Sequence, residues 1–165
     1  FVDAFLKSNM KEVDASLNPL ILKSRIVLSD DSSQILVLPS SSFRCTYLLS
    51  YPDSFIGSQF VTIDMSPKRF AEEISPARTY GFESEIQDLL SKGLAQGGTL
   101  SNAVVIGESS YKNKLRYSDE LARHKLLDMV GDFAILGRPI QGHIIGVYSG
   151  HSLNTKMVKT LAQIT

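Results

Sequence analysis

The stretch from Asp119 to Gly137, DELARHKLLDMVGDFAILG, constrains this chain more than any other. Its pattern predicts a helix: Leu126, Met129, Val130, Phe133 and Ala134 recur on one apolar sector at a period of about 3.6 residues. Ile135 and Leu136 carry apolar surface round to the other side, so the helix is expected to be buried on nearly all sides. Set into that surface are His124, Asp128 and Asp132, at i, i+4 and i+8, one turn above another on a single face. An ionised carboxylate in a core is costly unless it is paired or bound to a metal. Two accounts fit the spacing. In one, His124 and Asp128 are metal ligands; catalytic zinc takes about three protein ligands and a water, and this helix offers two. In the other, the row is a buried His–Asp hydrogen-bond network that fixes packing.

Composition narrows the field. A length of 165 residues suits one domain, or one domain with a short appendage, and a hydrophobic share of 43% allows a real core. Lys plus Arg equals Asp plus Glu, at 17 each, so nothing favours a polyanion and nucleic acid is not expected as a partner. The single cysteine, Cys45, excludes an intrachain disulfide and fits a reducing, cytoplasmic compartment. It lies in an alternating apolar segment and is expected to be a buried structural thiol. No run of about 18 apolar residues is present, so no transmembrane segment is expected. Asp3, Lys7 and Lys11 follow Phe1 too closely for a signal peptide. The chain does not open with Met, which points to a processed product or an excised piece.

In chain order, FVDAFLKS (Phe1 to Ser8) reads as one or two helical turns, and Asn9 to Asn18 as a polar linker. From Pro19 the period changes to two. Strands are expected at Pro19 to Leu28, Gln34 to Pro39, Phe43 to Tyr51 and Gln59 to Asp64, joined by short turns such as SDDSS and YPDSFIGS. Connections this short predict an antiparallel meander. Ser66 opens a helix with Pro67 at its first position. ARTYGF, the amphipathic ESEIQDLLSK closed by Gly93, and NAVVI then read as strand, helix, strand: a compact βαβ unit. Gly97-Gly98 matches neither GxxxxGK[ST] nor GxGxxG, so no nucleotide-binding fold is expected. After the central helix come a strand at Gly142 to Ser149 and a last helix from His151 or Ser152 to about Ile164. The expected class is α+β, a two-layer sandwich with helices packed on one face of a mostly antiparallel sheet, plus the βαβ insert.

HKLLDMVGDFAILGRPIQGH from His124, SGHSLNTK from Ser149, ARTYGF, KGLAQGGTLSNAVV from Lys92 and LRYSDELARHK stand in a specific order and spacing. Together they resemble the C-terminal half of the zinc-dependent UDP-3-O-acyl-N-acetylglucosamine deacetylases, which carry out the committed step of lipid A synthesis in Gram-negative bacteria. The resemblance is weak before about Asp53 and strong from Ala77 onward. It implies Zn2+ as cofactor, with His124 and Asp128 as two of three zinc ligands. It implies that Lys125 contacts substrate beside the metal. His151 would be the general acid on the leaving amine or the stabiliser of the oxyanion, with Asp132 orienting and charging it. The Thr79 hydroxyl would help hold the tetrahedral oxygen. The insert, residues 80–106, would form a hydrophobic passage for the acyl chain, with Tyr80, Phe82, Ile86 and Leu90 along it. The substrate class implied is a UDP-sugar carrying an acyl chain, and the products acetate and a free amine.

Each of these residues also has a plain structural role open to it. Asp132 could pair within the core, His151 could simply start a helix, Thr79 could bond to backbone, and Lys125 could be solvated surface. The stripe Tyr80, Phe82, Ile86, Leu90 could be ordinary core, and His143 is expected to be structural or at the rim of a site. Two departures from the family stand out. Where many relatives carry a lysine two residues before the Gly of SGH, this chain has Tyr148, so diphosphate contact must come from Lys125, Arg138 or another base. The family's third zinc ligand and glutamate base lie in an HxxHE-type motif, and no such motif exists here; His124, His143 and His151 are the only histidines. Residues 1–10 are therefore expected to be the tail of a missing N-terminal domain and its linker, and 11–165 the C-terminal catalytic domain. The missing domain would supply a His ligand and a Glu base, and the isolated chain is expected to be inactive. The alternatives are a non-enzymatic interaction domain of the same fold and a zinc amidohydrolase acting on another acylated sugar.

Overall fold

The computed structural model of the chain describes residues 2–11, 13 and 18–164. Residues 1, 12, 14–17 and 165, which include part of the expected linker, lie outside the described residues. A short helix, α1 (Val2–Lys7), comes first. The strands are β1 (Leu20–Ile21), β2 (Ile26–Asp30), β3 (Ser33–Leu38), β4 (Phe43–Tyr51) and β5 (Gly57–Asp64). Helix α2 (Pro67–Arg69) runs on as a π-helical turn, Phe70–Ile74. The Ser66 hydroxyl caps it by accepting from the Arg69 N–H at 3.2 Å. Then come β6 (Thr79–Phe82), α3 (Glu83–Ser91), β7 (Ala103–Ile106), α4 (Glu120–Ala134), β8 (Ile140–Val147) and α5 (His151–Ala162). No helix among the described residues is long and apolar enough to cross a membrane.

The chain is a mixed α+β structure whose main sheet has the order β2-β3-β8-β4-β5. Its neighbours are antiparallel except β4 and β8, which run parallel, and β1, which runs parallel to the start of β8. The expected meander is therefore broken once. β3 and β4 are four residues apart in the chain but are not neighbours, because β8 enters from the far end of the sequence and separates them. Loop length limits reach, and four extended residues span about 13 Å, more than two strand spacings of about 4.8 Å. The segment expected as one strand from Pro19 to Leu28 is two. Leu20–Ile21 follows β8, the chain then leaves, and Ile26–Asp30 pairs with β3. Leu22, between them, packs onto Gly142; a Cβ at 142 would sit 2.3 Å from Leu22 Cδ1.

Alternation decides which face is covered. The buried residues are Ile35 and Val37 on β3, Ile144 on β8, Cys45, Tyr47 and Leu49 on β4, and Val61 and Ile63 on β5. In register they form rows, such as Val37–Ile144–Cys45–Ile63, on one side of the sheet. Helix α4 packs on β4 and β5, and α5 on β2 and β3. Cys45 lies inside this layer, and burial pushes its thiol pKa up.

Helix α4 sits as an outer layer and is not enclosed. Leu121, Ala122, Leu126, Met129 and Phe133 are buried, whereas Val130 is half-buried and Ala134 exposed. Ile135, just past the helix, is 70% exposed. Burial nearly all round, expected from the apolar pattern, is thus confined to the side facing the sheet. β6 and β7 pair in parallel around α3 and form a separate two-stranded βαβ unit beside α4.

Candidate active site

Residues four apart on a helix advance by about 400°, so each lies one turn up and about 40° round from the last. Along α4 this row comprises Glu120, His124, Asp128 and Asp132. His124 Nε2 stands 3.5 Å from Asp128 Oδ1, longer than an ordinary hydrogen bond of about 2.7–3.2 Å. Two ligands held about 2.0–2.1 Å from one tetrahedral ion lie about 3.4 Å apart. The separation therefore fits two corners of a zinc shell. Nδ1 of the same ring is buried without an aligned hydrogen-bond partner. Burial holds the His124 pKa below its ordinary value, against the attraction of the Asp128 charge and with help from nearby Lys125. The ring is then neutral at neutral pH, the form that ligates a metal. Among the described residues no third His, Cys, Asp or Glu completes the set. Lys125 reaches the other carboxylate oxygen, with Nζ 3.2 Å from Asp128 Oδ2.

One turn further on, Asp132 meets α5. His151 Nδ1 lies 2.9 Å from Asp132 Oδ2 and 3.0 Å from Oδ1. A carboxylate can only accept, so Nδ1 carries the proton and Nε2 is left as the outward nitrogen. The His151 side chain is 66% exposed, whereas that of Asp132 is 12% exposed. The turn from β8 into α5 aims the ring. Tyr148 there has φ of 52°, in the left-handed region that a bulky residue rarely occupies. It is held by its N–H to the Leu48 carbonyl and by the Ser33 hydroxyl on its own carbonyl. The buried Tyr47 hydroxyl donates to the Ser149 carbonyl. Gly146 makes room for that phenol: a Cβ there would lie 2.8 Å from the Tyr47 ring and 2.6 Å from Ser149 Oγ.

The βαβ unit opens beside the His124 ring. Tyr80 packs edge-on against it, with centroids 6.0 Å apart and planes at 79°. Thr79, Tyr80, Ile86 and Leu90 line a cleft of about 780 Å³ together with residues from the 95–105 segment. That volume lies within the usual range for small-molecule sites, about 300–1,000 Å³. Phe82 is not on the cleft; it packs against Tyr51, with centroids 5.6 Å apart. His143 is on the uncovered face of the sheet, where Nε2 meets Thr46 Oγ1 at 2.8 Å. Arg138 Nη2 donates to the Pro19 carbonyl at 3.1 Å, and its Nε is buried without a partner.

Two contributors have no strong signal in the sequence. Arg78 and Glu120 form a buried ion pair, with side chains 7% and 0% exposed. Glu120 Oε1 accepts from Arg78 N and Nε, at 3.1 and 2.8 Å, and Oε2 accepts from Arg78 Nη2 and the Arg116 N–H, at 3.0 and 2.6 Å. The pair ties the first strand of the insert to the first turn of α4, next to Ala77 and Thr79. The only hint was position: Glu120 is four residues before His124, in the same row. The second contributor is Asn154, whose Nδ2 donates to Asp132 Oδ2 at 2.9 Å.

Comparison with known proteins gives one consistent result. The family model described as LpxC, UDP-3-O-acyl N-acetylglycosamine deacetylase, matches residues 1–163. A protein of Geotalea uraniireducens named UDP-3-O-acyl-N-acetylglucosamine deacetylase is 38% identical over 163 residues, covering 98% of this chain and 53% of the relative. Proteins of the same name from Leptospira biflexa and Nitratidesulfovibrio vulgaris are 34% identical over 167 residues and 46% identical over 135. These cover 100% and 81% of this chain, and 55% and 44% of the relatives. The chain spans about half the length of the curated relatives it matches.

Proposed function

The chain belongs to the UDP-3-O-acyl N-acetylglycosamine deacetylase family, and from that premise we propose that it is the C-terminal catalytic half, residues 11–165, of a deacetylase that hydrolyses the N-acetyl group of a UDP-3-O-acyl-N-acetylglucosamine. The observation that carries this reading is the facing pair His124 Nε2 and Asp128 Oδ1, 3.5 Å apart, beside an apolar cleft and one turn from a carboxylate-bound histidine. These two residues would hold Zn2+, with the third protein ligand, a histidine, and a glutamate base coming from the N-terminal half that such relatives carry. Zinc, when bound, supplies Lewis acidity that activates water near neutral pH.

This chain's own residues do the rest. The cleft lined by Tyr80, Ile86 and Leu90 takes the 3-O-acyl chain and so fixes the sugar relative to α4. Phe82 packs on Tyr51, whose hydroxyl lies 3.5 Å from that of Tyr80. The Thr79 hydroxyl donates to the acetyl oxygen as negative charge develops on it. Lys125, already turned toward Asp128, presents positive charge to the same substrate face. Asp132 accepts from Nδ1–H of the His151 imidazolium, which gives its Nε2 proton to the departing sugar nitrogen as the C–N bond breaks and is left as the Nδ1–H tautomer. Acetate and the free 2-amino sugar nucleotide leave. The step belongs to lipid A synthesis in the cytoplasm of a Gram-negative cell.

Zinc content and acetate release, measured for this chain alone and for the protein carrying both halves, test the proposal. The expected result is one tightly held zinc and turnover only with both halves. Tight zinc and turnover by this chain alone would refute the division of the site. Absence of deacetylation by the two-half protein would refute the activity.

A further inference from the structure

Asn154 is 1% exposed, on the side of α5 otherwise filled by Leu153, Met157, Val158 and Leu161. Its Nδ2 donates to Asp132 Oδ2, and its Oδ1 is buried with no partner. The assignment of the two amide atoms is forced, because the carboxylate only accepts. A buried acceptor left unpaired is costly, and a leucine would fill the same space without one. Packing therefore does not account for an asparagine here.

What the amide does is hold a carboxylate. Asp132 Oδ2 receives two donors, Asn154 Nδ2 and His151 Nδ1, both at 2.9 Å. Both come from α5, at positions i and i+3. With the imidazole as its only partner, the carboxylate could turn about its terminal torsion and the ring could follow. The second donor, on a buried and short side chain, fixes the carboxylate plane. The exposed ring has no other side-chain hydrogen bond among the described residues. The nearest charged group in the same row of α4 is Asp128, one turn back, and no Lys or Arg forms an ion pair with Asp132 among the described residues.

We propose that Asn154 is a positioning residue: through Asp132 it fixes the tautomer and direction of His151, so that Nε2 faces the leaving nitrogen. This rests on the reading of His151 as proton donor. The test uses the protein with both halves. Asn154→Ala is expected to lower kcat about tenfold with KM within about twofold. Asn154→Asp is isosteric, and its protonated carboxyl can still donate to Asp132. It should therefore work near wild-type rate in acid and fail as that carboxyl ionises, moving the high-pH limb of kcat down by about one unit or more. A purely structural role would make the loss at each pH follow the fraction of unfolded protein in a melt at that pH.

Imidazole nitrogen NMR supplies a readout free of turnover. His151 should be protonated on Nδ1 in the wild type and mixed in Asn154→Ala, with His143 unchanged. An unaltered His151 tautomer in Asn154→Ala, or wild-type kcat and pH profile in both variants, overturns the proposal. A wild-type protein with no deacetylase activity instead overturns the functional reading, and the tautomer then decides the role of Asn154 by itself.

Discussion

The most exacting prediction concerns Glu120→Gln. The substitution keeps volume and removes one charge, but it also replaces an acceptor by a donor. In the native site one carboxylate accepts four hydrogen bonds, three from Arg78 and one from the Arg116 N–H. A glutamine can satisfy the two at Oε1; its NH2 then opposes Arg78 Nη2 and the Arg116 N–H. The guanidinium keeps its Nε bond to Oε1 and the carbonyls of Leu100 and Lys114, at 3.2 and 2.7 Å, but loses the opposite charge and the acceptor at Nη2. Leaving one member of a buried ion pair uncompensated costs about 3–5 kcal/mol. For a chain of 165 residues, the entropy of unfolding at about 2.1 cal/mol/K per residue converts this to a fall in Tm of about 9–14 °C.

The cost also has a pH signature. Burial pushes the Glu120 pKa up, but the Arg78 hydrogen bond and the two backbone N–H groups outweigh it, and the folded value lies below the ordinary one. A carboxyl with a depressed folded pKa adds stability above its unfolded pKa, about 4.3, and loses it as pH falls through the folded value. The deficit of Glu120→Gln should therefore be full at pH 7 and shrink in acid below about pH 4. Replacing both partners, Arg78→Met with Glu120→Leu, should recover part of the loss. It cannot recover all, because the N–H groups of residues 78 and 116 stay without an acceptor. Thermal and urea melts of the wild type, Glu120→Gln and the double variant between pH 3 and 7 measure this. A deficit under about 1 kcal/mol at neutral pH, or one equal at pH 3 and 7, would refute the account.

Three further outcomes are expected. In the two-half protein, His124→Ala and Asp128→Asn should each lose zinc on gel filtration while Asp132→Asn retains it, and metal analysis of the eluted protein checks this. Gly146→Ala should cost about 1–3 kcal/mol, since its Cβ would press on the Tyr47 ring and Ser149 Oγ at 2.8 and 2.6 Å; a denaturant melt reads it. His143 has its pKa held down by burial and by Arg44, against Asp64, so the unfolded chain binds the proton more readily. Stability should therefore fall as pH drops below about 6.5, and less steeply in His143→Gln when both are melted across pH 5–8.

Local chemistry was legible where one segment decided its own conformation. Ser66 before Pro67 announced a capped helix start, and the apolar residues of α4 and the βαβ order around Gly93 gave elements close to those observed. The fold class followed from the same periods. Legibility ended where a partner distant in sequence chose the outcome. Nothing between Leu38 and Phe43 reveals that β8, a hundred residues on, lies between β3 and β4. The apolar pattern of Pro19 to Leu28 does not reveal that its two ends pair with different strands. Of the site, His124, Asp128 and Asp132 were visible because helical spacing places them together without outside help. The partnership of Asp132 with His151 came only from the family resemblance, and Arg78 and Asn154 from neither, since both act across 22 to 42 positions.

The row Glu120, His124, Asp128, Asp132 also explains why one helix can serve three purposes. A step of four residues rises about 6 Å and turns about 40°, so the row climbs about 18 Å and swings about 120° from first to last. It starts facing the insert, where Arg78 neutralises Glu120, and ends facing α5, where His151 and Asn154 meet Asp132. Both ends are locked by partners from other elements. The two middle members, His124 and Asp128, face each other without a hydrogen bond and are only 16% and 20% exposed in their side chains. The drift of the helix thus sets the half-buried pair His124 and Asp128 between two fixed anchors, Arg78 at the insert and His151 with Asn154 on α5. A shift of α4 relative to either anchor would change the spacing between the cleft, the His124–Asp128 pair and His151 together. It follows that Glu120 variants that still fold should weaken substrate binding through the insert, while Asn154 variants should lower kcat through His151. Kinetics of the two series in the same protein would separate the two ends of the helix.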